Sequence, residues 1–343
     1  MSIHDNSLLT SYTSPRTALW DNIKFFMIIL MVIGHFVDPF TSASSVSKSI
    51  FLFIYSFHMP VFIFISGLFY NEENCRKKIV FYACCGFACK ICISIVNLII
   101  NNSIDFSFLS DAGIPWFMFA IATYQLLMYL FKGINKKFLI AFSLLLACFI
   151  GYDKTIGDFL YISRIFVFLP YFLFGTAINQ QSVILFIKKH YKFLLPISIT
   201  ILSLWIYLCF FRLDNVYFLR PLFTGRNPFS DIIIIYGPLY RLLCYLITIL
   251  TGFSILVITP NCRVPVLSNL GSRTLNVYFW HWPIYLFLVD FIGVNRLFAI
   301  SALGKVAYLF IAIILSVVLM SVKIFDYPLN IIKKCCFNIS TAK

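Results

Sequence analysis

Eight ionisable side chains lie within otherwise apolar stretches of the sequence, and they are its strongest candidates for chemistry. They are Lys24, His35, His58, Lys90, Arg164, Arg241, His281 and Asp290. A charged group in lipid costs free energy, so it is usually retained for a function or held by a partner. Histidine titrates near neutral pH and can take up a proton, while a cation can hold an anionic substrate. These residue types suit group transfer assisted by a base.

Lys24 and His35 form the best-defined pair in this set. They are eleven residues apart, and eleven helical steps complete three turns with about 20° left over, so both face the same way, roughly 16 Å apart along the axis. His58 follows in the next apolar stretch, which runs back in the opposite direction. On antiparallel neighbouring helices, His35 and His58 are expected at comparable depth, in the outer half of the membrane.

The composition indicates that a membrane surrounds these residues. The chain has 343 residues, of which 61% are hydrophobic and 12% are charged, whereas a soluble domain carries about 25% charged residues. A helical span takes roughly 20 residues, so we predict an all-α integral membrane protein, a polytopic bundle of about ten transmembrane helices. The predicted spans are 23–40, 50–70, 79–100, 114–131, 138–152, 159–178, 193–211, 236–259, 274–292 and 304–324.

Lysine and arginine are concentrated in alternate connections between the predicted spans. The connections 71–78, 132–137 and 179–192 each carry a basic cluster, whereas most of the connecting aspartates belong to the other set. Basic connections stay in the cytoplasm, so both termini are predicted to be cytoplasmic. The net charge of +14 is then a topology signal, and we expect a lipid bilayer and no nucleic acid as partner. The predicted domains are an N-terminal tail over 1–22, a transmembrane domain over 23–324 and a C-terminal tail over 325–343.

The eleven cysteines lie mostly inside the predicted spans or on their cytoplasmic side. Cys85, Cys89 and Cys92 share one helix face, which would bring three thiols together. However, that span has no histidine or carboxylate, and buried cysteine more often acts as a small apolar residue. We therefore predict neither a metal site nor a disulfide framework.

The longest predicted exterior connection, residues 212–235, mixes charged and aromatic side chains. Aromatic rings stack on sugar faces, and arginine and aspartate form hydrogen bonds with hydroxyl groups. The connection therefore fits a sugar-binding surface, but it fits a loop lying among lipid headgroups equally well. Its charged residues are Arg212, Asp214, Arg220, Arg226 and Asp231, and its aromatic residues include Tyr217, Phe218, Phe223 and Phe229.

Several short sequence blocks follow one another in the order seen in a known family. The first is Asp21-Asn22-Ile23-Lys24, then ten residues, then His35. The later blocks are Tyr55-Ser56-Phe57-His58-Met59-Pro60, Phe64-Ile65-Ser66-Gly67, Pro115-Trp116-Phe117, Phe168-Leu169-Pro170-Tyr171-Phe172 before Gly175, and Gly271-Ser272-Arg273-Thr274-Leu275 with Tyr278 and His281. Together they resemble the membrane acyltransferase-3 family over nearly the whole chain. The lysine form of the first block and the Phe57-His58-Met59-Pro60 block look most like the fucose 4-O-acetylase-like branch.

This resemblance implies a multi-pass O-acetyltransferase of the bacterial inner membrane. Such an enzyme moves acetyl from acetyl-CoA, its donor substrate, to a hydroxyl of a surface polysaccharide (O-antigen, capsule or exopolysaccharide) or of its lipid-linked precursor, with no bound cofactor. In the family the histidine of the first motif is regarded as essential, and its paired cation as a donor-binding or structural residue, which assigns His35 and Lys24. Most members have arginine where this chain has Lys24, so attraction to phosphate is kept while a planar two-pronged contact is lost.

The chemistry of acyl transfer gives the other candidates their roles. Transfer from a thioester needs a base for the acceptor hydroxyl, donors for the developing oxyanion and exclusion of water. His35 is the predicted base, in a direct transfer without an acyl-enzyme. His58 could orient His35, donate to the oxyanion or contact the acceptor. The acceptor or oxyanion candidates are Trp116, Arg164, Arg241 and His281, and Arg273 is a second candidate for binding CoA phosphates; each also fits a purely structural role.

Two other classes of protein fit a polytopic bundle with internal cations. A transporter or flippase for lipid-linked saccharides typically has two repeated halves with broken helices, and the sequence shows no such repeat. A glycan polymerase or glycosyltransferase generally needs a carboxylate-rich exterior loop, whereas the 212–235 connection has three arginines and only two aspartates. Neither class accounts for the ordered blocks.

Overall fold

The fold is helical throughout the part of the chain that the structure, a computed structural model, describes: residues 18–102, 106–109, 113–226 and 228–338. It is 81% helix, and those ranges contain no strand. The predicted all-α class is therefore confirmed. The helices are α1 (Ala18–Val37), α2 (Ser45–Tyr55), α3 (His58–Leu68), α4 (Cys75–Asn101), α5 (Trp116–Leu130), α6 (Lys136–Phe149), α7 (Ile162–Ala177), α8 (Gln180–Phe211), α9 (Leu213–Val216), α10 (Arg220–Thr224), α11 (Gly237–Ile258), α12 (Pro265–Gly271), α13 (Thr274–Phe287), α14 (Asn295–Ile300), α15 (Ala302–Ser321) and α16 (Leu329–Asn338).

Many of these helices are apolar enough to belong in a membrane. Within the described ranges, six segments have the length and composition to cross one: Ala18–Phe40, Ser45–Leu68, Cys75–Asn101, Gln180–Phe211, Ile234–Ile258 and Ala302–Ser321. Two shorter apolar helices, Trp116–Leu130 and Ile162–Ala177, lie among them. The chain is thus a polytopic membrane protein. The total of about ten spans and the cytoplasmic side of both termini stay predictions.

The ends of the chain contain more helix than the predicted tails suggest. α1 begins at Ala18, inside the predicted tail over 1–22. α16 lies in the predicted C-terminal tail and packs against α4, with Phe337 against the apolar core and Lys333 and Lys334 exposed. Residues 1–17 and 339–343 of the two predicted tails lie outside the described residues.

The second predicted span consists of two helices, α2 and α3, separated by a break at Ser56–Phe57. Pro60 has no N–H to donate to the Ser56 carbonyl, which is the acceptor four residues earlier. Thr248 of α11 supplies a donor instead, with its Oγ1 2.6 Å from that carbonyl oxygen. The Ser56 hydroxyl accepts a further hydrogen bond from Nε1 of Trp205 in α8, at 2.9 Å. Two neighbouring helices therefore hold the break and fix where α3 starts.

α1 lies in the middle of the bundle and contacts α2, α3, α12, α13 and α15. Its side chains Ile23, Met27, Val32 and Phe36 are at most 1% exposed. A helix enclosed on this many sides can hold polar groups away from lipid. This position explains how α1 carries both Lys24 and His35.

α3 and α7 approach each other closely where two of the sequence blocks meet. A Cβ atom on Gly67 would lie 2.1 Å from the Phe172 carbonyl oxygen, and one on Gly175 would lie 2.3 Å from the Phe64 carbonyl oxygen. No side chain larger than hydrogen fits at either position. These blocks therefore include residues that set helix packing.

The described residues of the connection predicted over 212–235, which are 212–226 and 228–235, fold into α9, α10 and short turns packed against the helix ends. Its Phe229 joins an apolar cluster with Trp205 of α8. Ser163 of α7 donates a hydrogen bond to the Gly225 carbonyl at 2.8 Å, and the Arg241 guanidinium of α11 donates one to the Leu222 carbonyl. The segment is therefore anchored to the bundle and closes one side of a cavity.

Candidate active site

A cavity of about 370 Å³ lies at the end of the bundle where α1 ends and α5 begins. Its volume falls within the roughly 300–1,000 Å³ typical of small-ligand pockets. The connections that meet there, including 212–235, are those predicted to be outside the cell. The lining includes His35, Asp38, Tyr55, His58, Trp116, Arg164, Phe168, Arg220, Phe223, Thr224, Arg226, Tyr278 and Trp282.

His35 lies in the last turn of α1, with its ring against aromatic side chains from two other helices. Its Nδ1 is 3.3 Å from the Tyr55 hydroxyl oxygen, and its ring centroid is 5.3 Å from that of His281 and 5.9 Å from that of Trp282. With hydrogen on Nε2, the His35 Nδ1 accepts from the tyrosine. With hydrogen on Nδ1, the tyrosine oxygen accepts, and Nε2 is left with a lone pair that can take a proton.

The two other buried histidines have the same tautomer. His58 Nδ1 lies 2.9 Å from the Ile54 carbonyl, and His281 Nδ1 lies 2.8 Å from the Val277 carbonyl. A carbonyl only accepts, so each Nδ1 carries the hydrogen and each Nε2 is an acceptor. In His281 this Nε2 is buried and has no hydrogen-bond partner among the described residues. In this tautomer His58 suits contact with a donor hydroxyl better than contact with an oxyanion.

Three arginines line the cavity, and each lies within ion-pair distance of a carboxylate. Arg220 donates to Asp38 Oδ1 at 3.1 Å. Arg226 binds Asp158 closely, with Nε 2.7 Å from Oδ1 and a terminal nitrogen 2.7 Å from Oδ2. Arg164 comes within 3.9 Å of the same Asp158. The result is a mainly cationic lining within reach of His35.

Trp116 begins α5 and forms an aromatic wall of the cavity. Its ring stacks on Phe168 with centroids 5.3 Å apart. The guanidinium carbon of Arg164 lies 5.1 Å from the Trp116 ring centroid, within range of a cation–π contact. Trp116 thus holds Arg164 at the cavity as well as offering an aromatic face to it.

Arg241, an acceptor or oxyanion candidate from the sequence, does not line the cavity. It is 1% exposed and anchors the Leu222 carbonyl of α10. Its Nε and one terminal nitrogen are buried without a hydrogen-bond partner among the described residues. Arg241 is therefore placed to position the cavity wall formed by α10, rather than to touch a substrate.

Lys90 and Asp290, two other ionisable residues of the apolar stretches, do not line the cavity. Lys90 Nζ lies 2.8 Å from the Ser107 carbonyl and 5.4 Å from the Tyr161 ring centroid. Asp290 is exposed in the helical turn after α13. Arg164 lies 3.9 Å from Asp158, and Arg241 donates to the Leu222 carbonyl.

Lys24 and Arg273, the two donor-binding candidates, lie toward the other end of the bundle. Lys24 Nζ is 2.7 Å from Asp21 Oδ1. Arg273 is 2.7 Å from Asp326 Oδ1 and also donates to the Ser321 carbonyl. Both cations are therefore held beside carboxylates.

The first and last sequence blocks meet at this same end. The Ser268 hydroxyl of α12 donates to Asn22 Oδ1 at 2.7 Å, and the Asn22 side-chain amide donates to the Pro260 carbonyl at 2.8 Å. A Cβ on Gly271 would lie 1.9 Å from the Asp21 carbonyl oxygen. The start of α1 is thus fixed against the segment that leads into α13.

Four residues at the site are absent from the sequence-based candidates: Tyr55, Trp282, Asp158 and Asp38. Tyr55 and Trp282 are aromatic residues in apolar stretches, which the sequence alone does not distinguish from core. Asp158 lies in a connection and meets Arg226, 68 residues away. The spacing of Asp38, three residues after His35, was a usable signal, because it places both on one face of α1 and its terminal turn.

No group of three or more potential metal ligands (His, Cys, Asp or Glu) lies together in the part of the chain that the structure describes. The cavity is instead lined by a histidine and a tyrosine in contact, by His58 and by three arginines, while His281 does not line it and lies buried beside His35. A base and cationic groups in an enclosed membrane cavity are what transfer of an acyl group requires.

Comparison with known proteins agrees with this class. A family model described as an acyltransferase domain, Acyl_transf_3, matches residues 18–322. The chain therefore belongs to the acyltransferase-3 family and is a membrane acyltransferase, which confirms the resemblance of the ordered blocks. No curated protein and no solved structure matches the chain. Membership of the fucose 4-O-acetylase-like branch stays a prediction.

Proposed function

We propose that this acyltransferase is an O-acetyltransferase that moves acetyl from acetyl-CoA to a sugar hydroxyl. The acceptor is a bacterial surface polysaccharide (O-antigen, capsule or exopolysaccharide) or its lipid-linked precursor, and the enzyme works in the bacterial inner membrane. The observation that carries the proposal is the contact of His35 with Tyr55 at a cavity lined by arginines.

His35 is the general base in this proposal. When its Nδ1–H donates to the Tyr55 oxygen, its Nε2 is available to take the proton of the acceptor hydroxyl. The hydroxyl oxygen then bonds to the thioester carbonyl carbon, giving a tetrahedral intermediate. As that intermediate collapses, the carbon–sulfur bond breaks, and His35 returns its proton to the CoA thiolate. The products are the O-acetyl sugar and CoA, and His35 ends neutral.

The oxyanion of the intermediate needs a donor at the same cavity. Arg164 is the best-placed cation, because its side chain is 9% exposed and lines the cavity next to Trp116. A preorganised donor in an enclosed site stabilises developing charge more than an equivalent group in water does. Arg164 is therefore assigned to the oxyanion, and Trp116 to the acceptor sugar face.

The donor reaches His35 from the end of the bundle where Lys24 lies. Lys24 and Arg273 attract the CoA phosphates, and the pantetheine arm extends roughly 16 Å along the face of α1. Met27 and Ile28 lie between Lys24 and the cavity and are at most 2% exposed. Donor binding therefore requires these two side chains to move aside.

The proposed function is tested by comparing surface polysaccharide from cells with and without this gene. Mass spectrometry is expected to show loss of one acetyl increment per modified unit in the deletion strain, and its return when wild-type protein is supplied. Purified protein with labelled acetyl-CoA and the deacetylated polysaccharide should transfer the label. A flippase would instead change how much polysaccharide reaches the surface while its acetylation stays the same, and that outcome would contradict the proposal.

A further inference from the structure

The arginines of the cavity lining point to the charge of the acceptor. Arg164, Arg220 and Arg226 line the cavity, and within the described ranges Asp38 is the only carboxylate among its lining residues. Counting Asp158, which binds Arg226 from outside the lining, three cations face two anions among the residues that the structure describes. In that part of the chain, arginines outnumber carboxylates at the end that a sugar would enter.

Arg220 has the clearest capacity to bind a ligand. A guanidinium group has five N–H donors, and the contact with Asp38 Oδ1 at 3.1 Å uses one terminal nitrogen. Its Nε is buried and has no hydrogen-bond partner among the described residues. The guanidinium carbon also lies 4.6 Å from the Phe51 ring centroid, which holds the group in place.

A stack of rings joins Arg220 to the base. Phe51 stacks on Tyr55 with centroids 3.6 Å apart, and Tyr55 contacts His35. An anionic group held by Arg220 would therefore lie at a fixed position relative to His35, in the same cavity.

Arg220 and Arg226 differ from cations that simply face lipid headgroups. The side chains of Arg220 and Arg226 are 32% and 40% exposed, and both line the cavity. Arg296, in contrast, is an exposed arginine that does not line it. A cation aimed at headgroups has no need of an enclosed position with rings and carboxylates around it.

We infer that the acceptor carries an oxyanion, a sugar carboxylate or a phosphate, which binds in a subsite formed by Arg220 and Arg226. Carboxylate and phosphate share the geometry that a planar guanidinium recognises with two parallel hydrogen bonds. This inference rests on the proposed function, which identifies the bound molecule as the acetyl acceptor. It adds the chemical class of that acceptor. It assigns Arg220 and Arg226 to the sugar substrate and not to the CoA phosphates.

Binding to the purified full-length protein in nanodiscs, without acetyl-CoA, tests the inference. The probes are trigalacturonate against its methyl ester, and galactose 6-phosphate against galactose, and the two pairs distinguish carboxylate from phosphate. We expect at least one charged probe to bind about tenfold more tightly than its neutral partner, the factor expected for a charge-assisted hydrogen bond. Equal binding within both pairs would overturn the inference.

The matched variants are Arg220→Gln and, as control, Arg296→Gln. Arg220→Gln should remove the preference for the charged probe and leave the neutral probe unchanged, while Arg296→Gln keeps the preference. Arg220→Lys, which keeps the charge but loses the planar fork, should give an intermediate preference and serves if the glutamine variant does not fold. Equal losses in Arg220→Gln and Arg296→Gln would contradict a specific subsite.

Turnover separates the inference from the proposed function. With an acceptor that the wild-type enzyme acetylates, Arg220→Gln should raise KM for that acceptor and leave KM for acetyl-CoA unchanged; the reverse would assign Arg220 to the donor and overturn the inference. If the charged probe binds through Arg220 but no acetyl is transferred, the oxyanion subsite stands and the proposed function fails.

Discussion

The Tyr55 hydroxyl lies 3.3 Å from Nδ1 of His35, and the tyrosine ring is fixed on two other sides. It stacks on Phe51 with centroids 3.6 Å apart and meets His58 edge-on at 4.8 Å. Tyr55 is also the last residue of α2, directly before the break at Ser56–Phe57. The break therefore determines where the tyrosine stands, and the tyrosine in turn orients the imidazole of His35.

Removal of the Tyr55 hydroxyl should slow the chemical step. Tyr55→Phe keeps the ring packing but removes the group that holds His35 Nδ1. We expect kcat to fall by up to about tenfold, the equivalent of one hydrogen bond, with KM for acetyl-CoA unchanged. Steady-state kinetics with labelled acetyl-CoA measure this. The control is Tyr240→Phe, at a tyrosine that does not line the cavity; equal kcat values for Tyr55→Phe and wild type would count against the orienting role.

Thr248 should be required for stability because it satisfies the carbonyl at the helix break. Thr248→Val has nearly the same shape but leaves the buried Ser56 carbonyl without its 2.6 Å donor. An orphaned buried acceptor costs about 1–3 kcal/mol, so the melting temperature in detergent should fall. Thr200→Val is the control, since the Thr200 hydroxyl bonds within its own helix to the Pro196 carbonyl and is exposed. Equal melting temperatures for the two variants would contradict the assignment.

The positions of the helices followed well from the sequence, and their interruptions did not. Apolar length identified α1, α4 and α15 because a membrane span needs a continuous apolar run. It placed the start of α8 too late, since this helix begins at Gln180, within the predicted connection 179–192. The break before α3 depends on Thr248 and Trp205, which are remote in sequence, although Pro60 was a local signal. The folding of 212–235 against the bundle likewise depends on Ser163 and Arg241.

For the candidate site, too, the sequence identified some residues and missed others. His35 and His58 were recognised because a histidine in an apolar stretch is conspicuous and helical periodicity predicts its face. Tyr55 was missed because a tyrosine in such a stretch has the composition of core. The partner of Arg164 was missed because Asp158 lies in a connection, and its position depends on how that connection folds.

Lys24 should affect the donor rather than the acceptor. Lys24→Ala removes a cation from the proposed phosphate site and should raise KM for acetyl-CoA about tenfold, whereas Lys24→Arg should restore most of the affinity because the charge is kept. Lys188→Ala, at an exposed lysine of α8, is the control. An unchanged dependence of the rate on acetyl-CoA concentration in Lys24→Ala would contradict the donor role.

The ionised side chain of Asp326 should make the stability of the folded protein depend on pH in the acid range. Burial opposes it, but hydrogen bonds from Arg273 and Asn276 and the charge of Arg273 hold the pKa of Asp326 below its ordinary value of 3.8. A carboxyl whose pKa is lowered by folding stabilises the folded state above its unfolded pKa, and this contribution is lost as the pH falls through the folded pKa. Asp326→Asn should therefore melt below wild type at neutral pH, with the difference vanishing in acid.

Thermal unfolding of wild type and Asp326→Asn in detergent, from neutral pH to about pH 2, well below the ordinary aspartate pKa, checks this expectation. The control is Asp214→Asn, at an exposed aspartate of α9. A difference between wild type and Asp326→Asn that persists unchanged in acid would show that the carboxylate charge does not contribute.

The most direct test of the account is the acetyl-transfer rate of His35→Ala, in protein shown to be folded and inserted in the membrane. A general base contributes about 10²–10⁴-fold to a rate, so the variant should transfer acetyl at least about 100-fold more slowly than wild type. The control is His190→Ala, at an exposed histidine of α8, which should match wild type. Transfer by His35→Ala at the wild-type rate would contradict the assignment of His35 as the base.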